Sequence, residues 1–415
     1  MQQLNTNSLF TAGLLSSVIL GLVNPQPIQA SSLQLNFLGQ SIVQTGTTFG
    51  GTQVGGLSGI DYSPALDVYY ANSDDRSTIN PARFYTLTLD LSQFNNDGNN
   101  SGVTFTDVTT LLQANGQPFP ANSLDPEDLT LVNGNVYIPS EGEVSTNRIV
   151  DPFFNSFDVT TGQQNQALPI PSQFIPQPNS IPTTSGVRNN LSLESATVTP
   201  DFRYLFTASE NALVQDGPVA TVSNGTPSRI LQYDLTTGQP IAQFIYNTDP
   251  VALPPNPSGQ FNTNGLVDLL ALDNSGQRFL ALERSFSVGA VGTPGNTGNT
   301  VKIFEVSLAG ATDISGLSSI NGQPNLIAAQ KTLLLDLTTL GIPIDNLEGL
   351  AFGETLTNGN RSLILVSDNN FSPTQFTQFL AFEVESQSVP EPSSILGFGL
   401  LGIFGLRRLL AKPLQ

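Results

Sequence analysis

The sequence predicts an all-β fold made of repeated four-stranded antiparallel sheets. Between residues 32 and 388 no segment keeps a helical spacing of apolar residues, and short β-branched or aromatic runs alternate with turns rich in Gly, Asn, Asp, Ser and Pro. One phrase recurs five times, and its copies, the first counted from Leu57, begin 69, 67, 73 and 81 residues apart. A radial repeat of antiparallel units is typical of a β-propeller, here with five blades.

Each copy of the phrase begins with an inner strand, predicted at residues 56–62, 126–132, 193–199, 266–272 and 347–353. A second and a third strand follow in every copy, the third strand of the second copy being predicted at residues 147–159. A fourth follows in the first four copies, at residues 103–112, 166–170, 240–246 and 331–337. The fifth copy lacks a fourth strand, while residues 33–43 form a strand without a partner. We therefore expect this N-terminal strand to complete the last blade and close the ring.

Two other arrangements stay open at this point. A sixth blade would have to lie in one of the long inserts, at residues 165–190 or 286–300. A two-sheet β-sandwich is disfavoured, because it would not need the fivefold phrase.

Composition excludes several kinds of chemistry. The 415 residues include no His, no Cys, no Trp and one Met. The chain therefore has no Ser-His-Asp triad, no His-ligated zinc or haem, no disulfide, no thiolate nucleophile and no iron–sulfur cluster. With 33 acidic and 14 basic residues the formal net charge is −19, which disfavours nucleic acid as a partner. Any catalysis would depend on carboxylates, hydroxyls, arginines or a metal bound through oxygen.

Residues 1–30 are predicted to be a signal peptide. Residues 8–23 form an uncharged apolar run, a helix-breaking Asn-Pro-Gln-Pro follows, and Ala30 offers a small-residue cleavage position. The residues before the run carry no Lys or Arg, which departs from the usual pattern. A buried helix of the domain is the alternative, disfavoured by the polar, β-like sequence directly after it. The globular domain is expected at residues 32–388.

Residues 389–415 combine three features in order, namely Val389-Pro390-Glu391-Pro392, an apolar Gly-rich run of about 14 residues, and Arg407-Arg408. This order resembles the PEP-CTERM sorting signal of Gram-negative bacteria, which an exosortase recognises and removes. The resemblance implies export to the cell surface or extracellular matrix, with transient membrane anchoring by the C-terminal helix. An ordinary C-terminal anchor is the alternative.

Charged residues recur at equivalent points of the repeat. Because the strands of a blade alternate in direction, the start of the first, the end of the second and the start of the third strand share one face. The starts of the first strands carry the acids Glu127 with Asp128, Glu194, Asp268 and Glu348. The ends of the second strands carry the acids Asp74 with Asp75, Glu141, Glu210, Glu283 and Asp368. The starts of the third strands carry the bases Arg83, Arg148, Arg229 and Lys302. We expect a ring of carboxylates with a basic rim at the mouth of the channel. The alternatives are surface charges on loops, or a structural acid copied by duplication.

Carboxylates held close together either raise one another's pKa or bind a cation. A donor set of oxygens alone favours Ca²⁺ or Mg²⁺ over zinc. A carboxylate-bound cation beside arginines suits a phosphate ester, because the cation polarises oxygen and activates water while arginine pairs with phosphate. The sequence therefore predicts a cation-dependent site for a small phosphoester.

Four segments, at residues 125–131, 191–213, 345–353 and 365–371, resemble the phytase-like family, also described as esterase-like activity of phytase. The resemblance covers roughly residues 50–388 and implies a propeller that hydrolyses phosphoesters. It also implies that a set of acids belongs to the site, namely Glu127, Asp128, Glu194, Glu210, Glu348 and Asp368.

From the repeat and the resemblance together we predict three groups of site residues. The catalytic group is Glu127, Glu194 and Glu348, the substrate-binding group is Arg148 and Arg229, and the metal-binding group is Asp128, Glu210 and Asp368. The alternative function is a non-catalytic surface or matrix propeller that binds Ca²⁺, carbohydrate such as exopolysaccharide, or another protein.

Overall fold

Residues 33–386 are the part of the chain that the structure, a computed structural model, describes. The expected signal peptide at residues 1–30 and the expected sorting segment at residues 389–415 lie outside the described residues. Within the described range no helix is both long enough and apolar enough to cross a membrane.

The strands form five four-stranded antiparallel sheets and two short hairpins. The chain begins with β1 (Leu33–Val43) and a hairpin of β2 (Thr48–Phe49) and β3 (Thr52–Gln53). The first blade contains β4 (Gly59–Ser63), β5 (Val68–Ser73), β6 (Arg83–Leu89) and β7 (Val103–Thr110). The second contains β8 (Thr130–Val132), β9 (Asn135–Ser140) and then, after an inserted hairpin of β10 (Glu143–Ser145) and β11 (Arg148–Val150), β12 (Phe153–Asp158) and β13 (Gln164–Leu168).

The remaining three blades follow the same inner-to-outer order. The third contains β14 (Thr197–Val198), β15 (Tyr204–Ala208), β16 (Pro227–Asp234) and β17 (Gln239–Asn247). The fourth contains β18 (Asn262–Ala271), β19 (Arg278–Ser287), β20 (Asn299–Ser307) and β21 (Gln330–Asp336). The fifth contains β22 (Asn346–Thr355), β23 (Arg361–Asp368) and β24 (Thr377–Ser386), with β1 beside β24. Three short 3₁₀ segments are Leu91–Gln93, Pro294–Asn296 and Leu337–Leu340.

Hydrophobic packing between neighbouring blades holds the ring together. Five clusters of buried apolar side chains each draw their residues mainly from two adjacent blades, the first and fifth included. Aromatic pairs mark two of these contacts, with Phe206 and Phe279 at 4.8 Å between ring centroids and Phe154 and Tyr233 at 5.8 Å. The five-bladed propeller predicted from the repeat is therefore confirmed, and within residues 33–386 neither long insert forms a sixth four-stranded sheet.

One strand boundary differs from the prediction. Residues 147–159, expected to be a single third strand of the second blade, are divided between β11 and β12. Pro152 lies in the gap, and a proline cannot donate a backbone hydrogen bond to a sheet. Arg148 consequently belongs to the β10–β11 hairpin and not to the blade.

The N-terminal strand β1 pairs with β24 from Leu33 to Val43, with one bulge between Phe37 and Gly39. Phe37 lies against Phe382, with ring centroids 5.3 Å apart, and packs on the cluster between the fourth and fifth blades. Whether β1 is what keeps the ring closed can be checked by removing this contact.

We expect Phe37→Ala to lower the free energy of unfolding by about 2 kcal/mol, because it removes a half-buried aromatic side chain at the blade junction. Leu38→Ala is the control, since Leu38 lies in the same strand but is more exposed. Chemical denaturation of both variants measures the difference. Equal, small losses would mean that β1 contributes little to holding the fifth blade in place.

Candidate functional site

A cavity of about 980 Å³ opens on one face of the propeller. Its walls carry eight carboxyl side chains and two guanidinium groups. The ten residues are Asp74, Asp125, Glu127, Glu194, Glu210, Asp345, Glu348, Asp368, Arg76 and Arg284. The arrangement therefore concentrates negative charge in a single recess.

Strand direction brings these side chains to the same face. Glu127 and Glu194 precede β8 and β14, and both continue the ladder, since their backbone N–H groups donate to Pro139 O at 3.2 Å and Ala208 O at 3.0 Å. Glu210 follows β15, which runs in the opposite direction, so its side chain returns to the same edge. Alternating direction within a blade thus places inner-strand starts and second-strand ends together, as the repeat predicted.

Two of these acids form a compact group with a third acid, Glu141, which does not itself line the cavity. Asp125, Glu127 and Glu141 are all buried, and one carboxylate oxygen from each lies within 4.8 Å of the others. Arg76 donates to Asp125 from Nε at 2.7 Å and forms an ion pair with it. The group offers only hard oxygen donors, which fit Ca²⁺ or Mg²⁺.

A second group surrounds Arg284. Its guanidinium donates to Glu348 Oε1 at 2.8 Å and lies 3.7 Å from Glu210 Oε1. Glu210 is 1% exposed, and its Oε1 has no hydrogen-bond partner. Gly265 makes room for this side chain, because a Cβ at that position would overlap the Glu210 carboxylate. Glu210 therefore presents to the cavity a buried oxygen that has an ion-pair partner but no hydrogen bond.

Burial determines the protonation of these carboxyls. Desolvation raises the pKa of Glu210 to about 7, with Arg284 opposing the shift. Desolvation also raises the pKa of Asp125 to about 6, opposed by Arg76. The pKa values of Glu127 and Glu194 lie well above their usual range, because burial and neighbouring carboxylates both favour the neutral form. Near neutral pH the cavity therefore holds protons that a cation would displace.

Five of the predicted site residues meet in this cavity. They are Glu127, Glu194, Glu348, Glu210 and Asp368. Glu348 and Asp368 are linked by Asn346, whose Nδ2 donates to Glu348 at 3.0 Å and to Asp368 at 3.3 Å.

Asp128, predicted as a metal ligand, does not line the cavity. Its carboxylate accepts hydrogen bonds from the backbone of Leu129 and Ala196, both at 2.6 Å, and it is hydrogen-bonded to Asp268. Asp268 in turn accepts from Leu350 N at 2.6 Å. The pair therefore joins the inner strands of four blades, because Asp128 is one residue further along the chain than Glu127 and faces a different neighbour.

The two predicted substrate-binding arginines also lie elsewhere. Arg229 is fully buried further from the axis and donates to both carboxylate oxygens of Asp216, at 2.6 and 2.9 Å. Arg148 lies on the β10–β11 hairpin and forms a 3.5 Å ion pair with Glu143. Neither lines the cavity, Arg229 because it lies on a third strand, which stands farther from the channel than an inner strand, and Arg148 because it lies on the inserted hairpin.

The arginines that do line the cavity are Arg76 and Arg284. Arg284 directly follows Glu283 in β19, and successive side chains of a strand point to opposite faces. This alternation could have identified Arg284 from the sequence, because only one of two successive side chains can face the channel. Glu283 is directed toward Tyr246 and Lys331, and Arg284 faces the cavity. Arg76 and Asp125 lie within two residues of acids that the repeat identifies, Asp75 and Glu127. Nothing in the repeat distinguishes Arg76 and Asp125 themselves from ordinary charged residues of loops.

Several solved structures resemble this fold weakly. It is similar to the Dos1 propeller (9% identity, 79% of this chain and 67% of that chain covered, TM-score 0.33) and to the major allergen Mala s 1 of Malassezia sympodialis (9%, 83% and 96%, 0.38). It is also similar to U3-55K (9%, 85% and 98%, 0.34). Likenesses this weak bear neither on the fold nor on the function.

No curated protein matches the sequence. The profile of the Phytase-like family, described as esterase-like activity of phytase, matches residues 52–371. That segment includes every carboxylate and arginine of the cavity. Because the match spans more than half of the chain, the protein belongs to the Phytase-like family.

Proposed function

We propose that the protein is an exported, divalent-cation-dependent hydrolase of phosphoesters. Membership of the Phytase-like family suggests a hydrolase-like function. The observation that carries the proposal is the cluster of Asp125, Glu127 and Glu141, of which Asp125 and Glu127 line a recess that also carries Arg76 and Arg284.

Asp125, Glu127 and Glu141 are the residues that would hold the cation. When bound, a Ca²⁺ or Mg²⁺ ion supplies Lewis-acid polarisation of a phosphoryl oxygen and lowers the pKa of water. Arg284 and Arg76 would pair with phosphoryl oxygens after exchanging their present carboxylate partners, Glu348 and Asp125. Glu210, whose pKa is raised to about 7 mainly by burial, is suited to accept a proton from water.

Glu127→Gln tests the proposal, because it keeps the shape of the side chain and removes one anionic ligand. We expect phosphatase activity on p-nitrophenyl phosphate to fall by about 100-fold or more and the affinity for Ca²⁺ or Mg²⁺ to fall with it. Isothermal titration calorimetry measures the binding. Asp107→Asn is the matched control, since Asp107 is exposed and far from the cavity, and it should behave like the unmodified protein.

Two results would contradict the proposal. One is the absence of hydrolysis of any phosphoester with either cation. The other is unchanged activity in Glu127→Gln.

Export and localisation are part of the proposal. We propose that residues 1–30 direct secretion and that an exosortase-type enzyme processes residues 389–415, delivering the domain to the cell surface or matrix. The order Pro-Glu-Pro, apolar run and arginine pair supports this. Mass spectrometry of the mature protein would reveal new ends near Ala30 and Glu391, and intact termini would contradict it.

A non-catalytic role is the second candidate, and one observation favours it. Both cavity arginines already donate to carboxylates, Arg76 to Asp125 and Arg284 to Glu348, so neither is free for an anion without rearrangement. A matrix propeller that binds Ca²⁺, exopolysaccharide or a protein would show cation binding and polysaccharide retention with no hydrolysis.

A further inference from the structure

The fourth blade rises above the carboxylate layer of the cavity. Its two inner strands β18 and β19 have ten residues each, whereas β14 and β15 of the third blade have two and five. Gly265 pairs with Arg284, and two residues nearer the mouth Thr263 pairs with Phe286. Because residues i and i+2 share a face of a strand, Phe286 stands about 7 Å outward from Arg284 on the same wall.

A second aromatic residue extends this wall. Phe261 immediately precedes β18, and its ring centroid is 6.2 Å from that of Phe286. It is 63% exposed, although both rings line the cavity together with Pro343 and Phe376. Adjacent aromatic rings left open at the mouth of a recess indicate a surface that binds an apolar group.

The charge of the cavity limits how many phosphates a ligand can carry. Eight carboxyl groups face only two arginines, and each arginine is already paired with one of them. A single phosphoryl group can be met by a cation and Arg284, but further phosphates would lie against carboxylates. A polyphosphorylated ligand is therefore disfavoured.

We propose that the substrate is a phosphate monoester whose alcohol carries an apolar or aromatic group, with the phosphoryl group near Arg284 and the organic group against Phe261 and Phe286. This inference rests on the proposed function and narrows its substrate class. A cavity of about 980 Å³ is large enough for such an ester. Hydrolysis adds one water across the P–O bond, so that the water oxygen joins phosphorus and the released alkoxide takes a proton, giving the alcohol and inorganic phosphate.

The test compares 2-phenylethyl phosphate, ethyl phosphate and inositol hexakisphosphate on the full chain with Ca²⁺ or Mg²⁺. The first two have leaving groups of similar acidity, so a difference in kcat/KM reports contact with the ring. We expect kcat/KM for 2-phenylethyl phosphate to exceed that for ethyl phosphate by about 10- to 100-fold, the effect of burying a phenyl group. Inositol hexakisphosphate should be the poorest of the three.

Phe261→Ala and Phe286→Ala should each lower kcat/KM for 2-phenylethyl phosphate by about 10-fold, and so remove most of its advantage over ethyl phosphate. Phe202→Ala is the matched control, because Phe202 is 43% exposed in the turn between β14 and β15, at the other end of the blade. It should leave the preference unchanged.

The possible failures are distinguishable. If ethyl phosphate or inositol hexakisphosphate is hydrolysed as well as 2-phenylethyl phosphate, the inference is wrong and the proposed function stands. If no ester is hydrolysed, the proposed function is wrong. Binding of 2-phenylethylphosphonate and ethylphosphonate, which needs no turnover, then decides only whether Phe261 and Phe286 hold an organic group, and equal affinities overturn that assignment too.

Discussion

Replacing Arg229 with methionine is expected to lower the free energy of unfolding by about 3–5 kcal/mol. Arg229 and Asp216 have side chains with no exposure, and the arginine donates twice to the carboxylate. The substitution leaves Asp216 buried with only the backbone N–H of Ile320, at 3.0 Å, still donating to it. An uncompensated buried carboxylate is among the most costly changes that a single substitution makes.

Arg148→Met provides the matched control. Arg148 is 35% exposed and lies 3.5 Å from Glu143, so its ion pair is solvent-screened and should contribute less than about 1 kcal/mol. Urea denaturation of both variants measures the difference. Similar losses for the two arginines would contradict the assignment of Arg229 to the buried framework.

The same pair of variants checks the predicted substrate-binding roles. If Arg229 acts only through the fold, the fraction of Arg229→Met that remains folded should keep its KM for p-nitrophenyl phosphate. A raised KM in either variant would support the prediction that these arginines contact substrate.

The second large effect is a loss of stability as the pH rises from 5 to 8 in the absence of divalent cations. Burial raises the pKa of Asp125 to about 6 and of Glu210 to about 7, and it raises the pKa values of Glu127 and Glu194 well above the usual range. In the unfolded chain the same carboxyls lose their protons near pH 4. Between these values the folded protein binds more protons than the unfolded chain, so the free energy of unfolding falls with rising pH.

The loss should be on the order of 4 kcal/mol by pH 8, since Asp125 contributes about one pKa unit above pH 5 and Glu210 about two, each worth about 1.4 kcal/mol. Carboxylates whose pKa is lowered, such as Asp249 beside Lys331, act in the opposite sense but only below about pH 4. Denaturation midpoints at pH 5 and pH 8 measure the effect.

Millimolar Ca²⁺ or Mg²⁺ should restore part of the stability at pH 8, because a ligand of the folded state alone stabilises it by mass action. NaCl at the same ionic strength is the control for general screening of the acidic surface. Stability that does not fall between pH 5 and pH 8, or that NaCl restores as well as Ca²⁺, would contradict a cation site in the cavity.

The repeat located much of the candidate site in advance. Glu127, Glu194 and Glu348 occupy equivalent points of three blades, and strand alternation alone predicts that they face one channel mouth. Asp128 shows the limit of this reasoning, because a shift of one residue turns a side chain to a different neighbour. There it binds backbone amides and Asp268 instead of facing the cavity.

The repeat placed the arginines less well than the glutamates, for a different reason. Arg229 begins a third strand as expected, yet its partner Asp216 comes from the segment between β15 and β16, whose path no repeat specifies. Arg284 belongs to the fourth blade, whose inner strand has Val267 in place of the recurring glutamate. The predicted site residues therefore include none from this blade.

The sequence by itself determined the all-β class, the count of five repeats and a chemistry of carboxylates without His or Cys, because these follow from composition and from a period along the chain. Which charged side chains contact one another became known only from the tertiary structure. A repeat specifies the height of a residue within its blade, but its distance from the axis and its partner across the ring depend on how five blades pack. The acidic excess therefore gathers in a cavity, where eight carboxyl groups meet two arginines, whereas buried framework pairs such as Arg229 with Asp216 are balanced in charge.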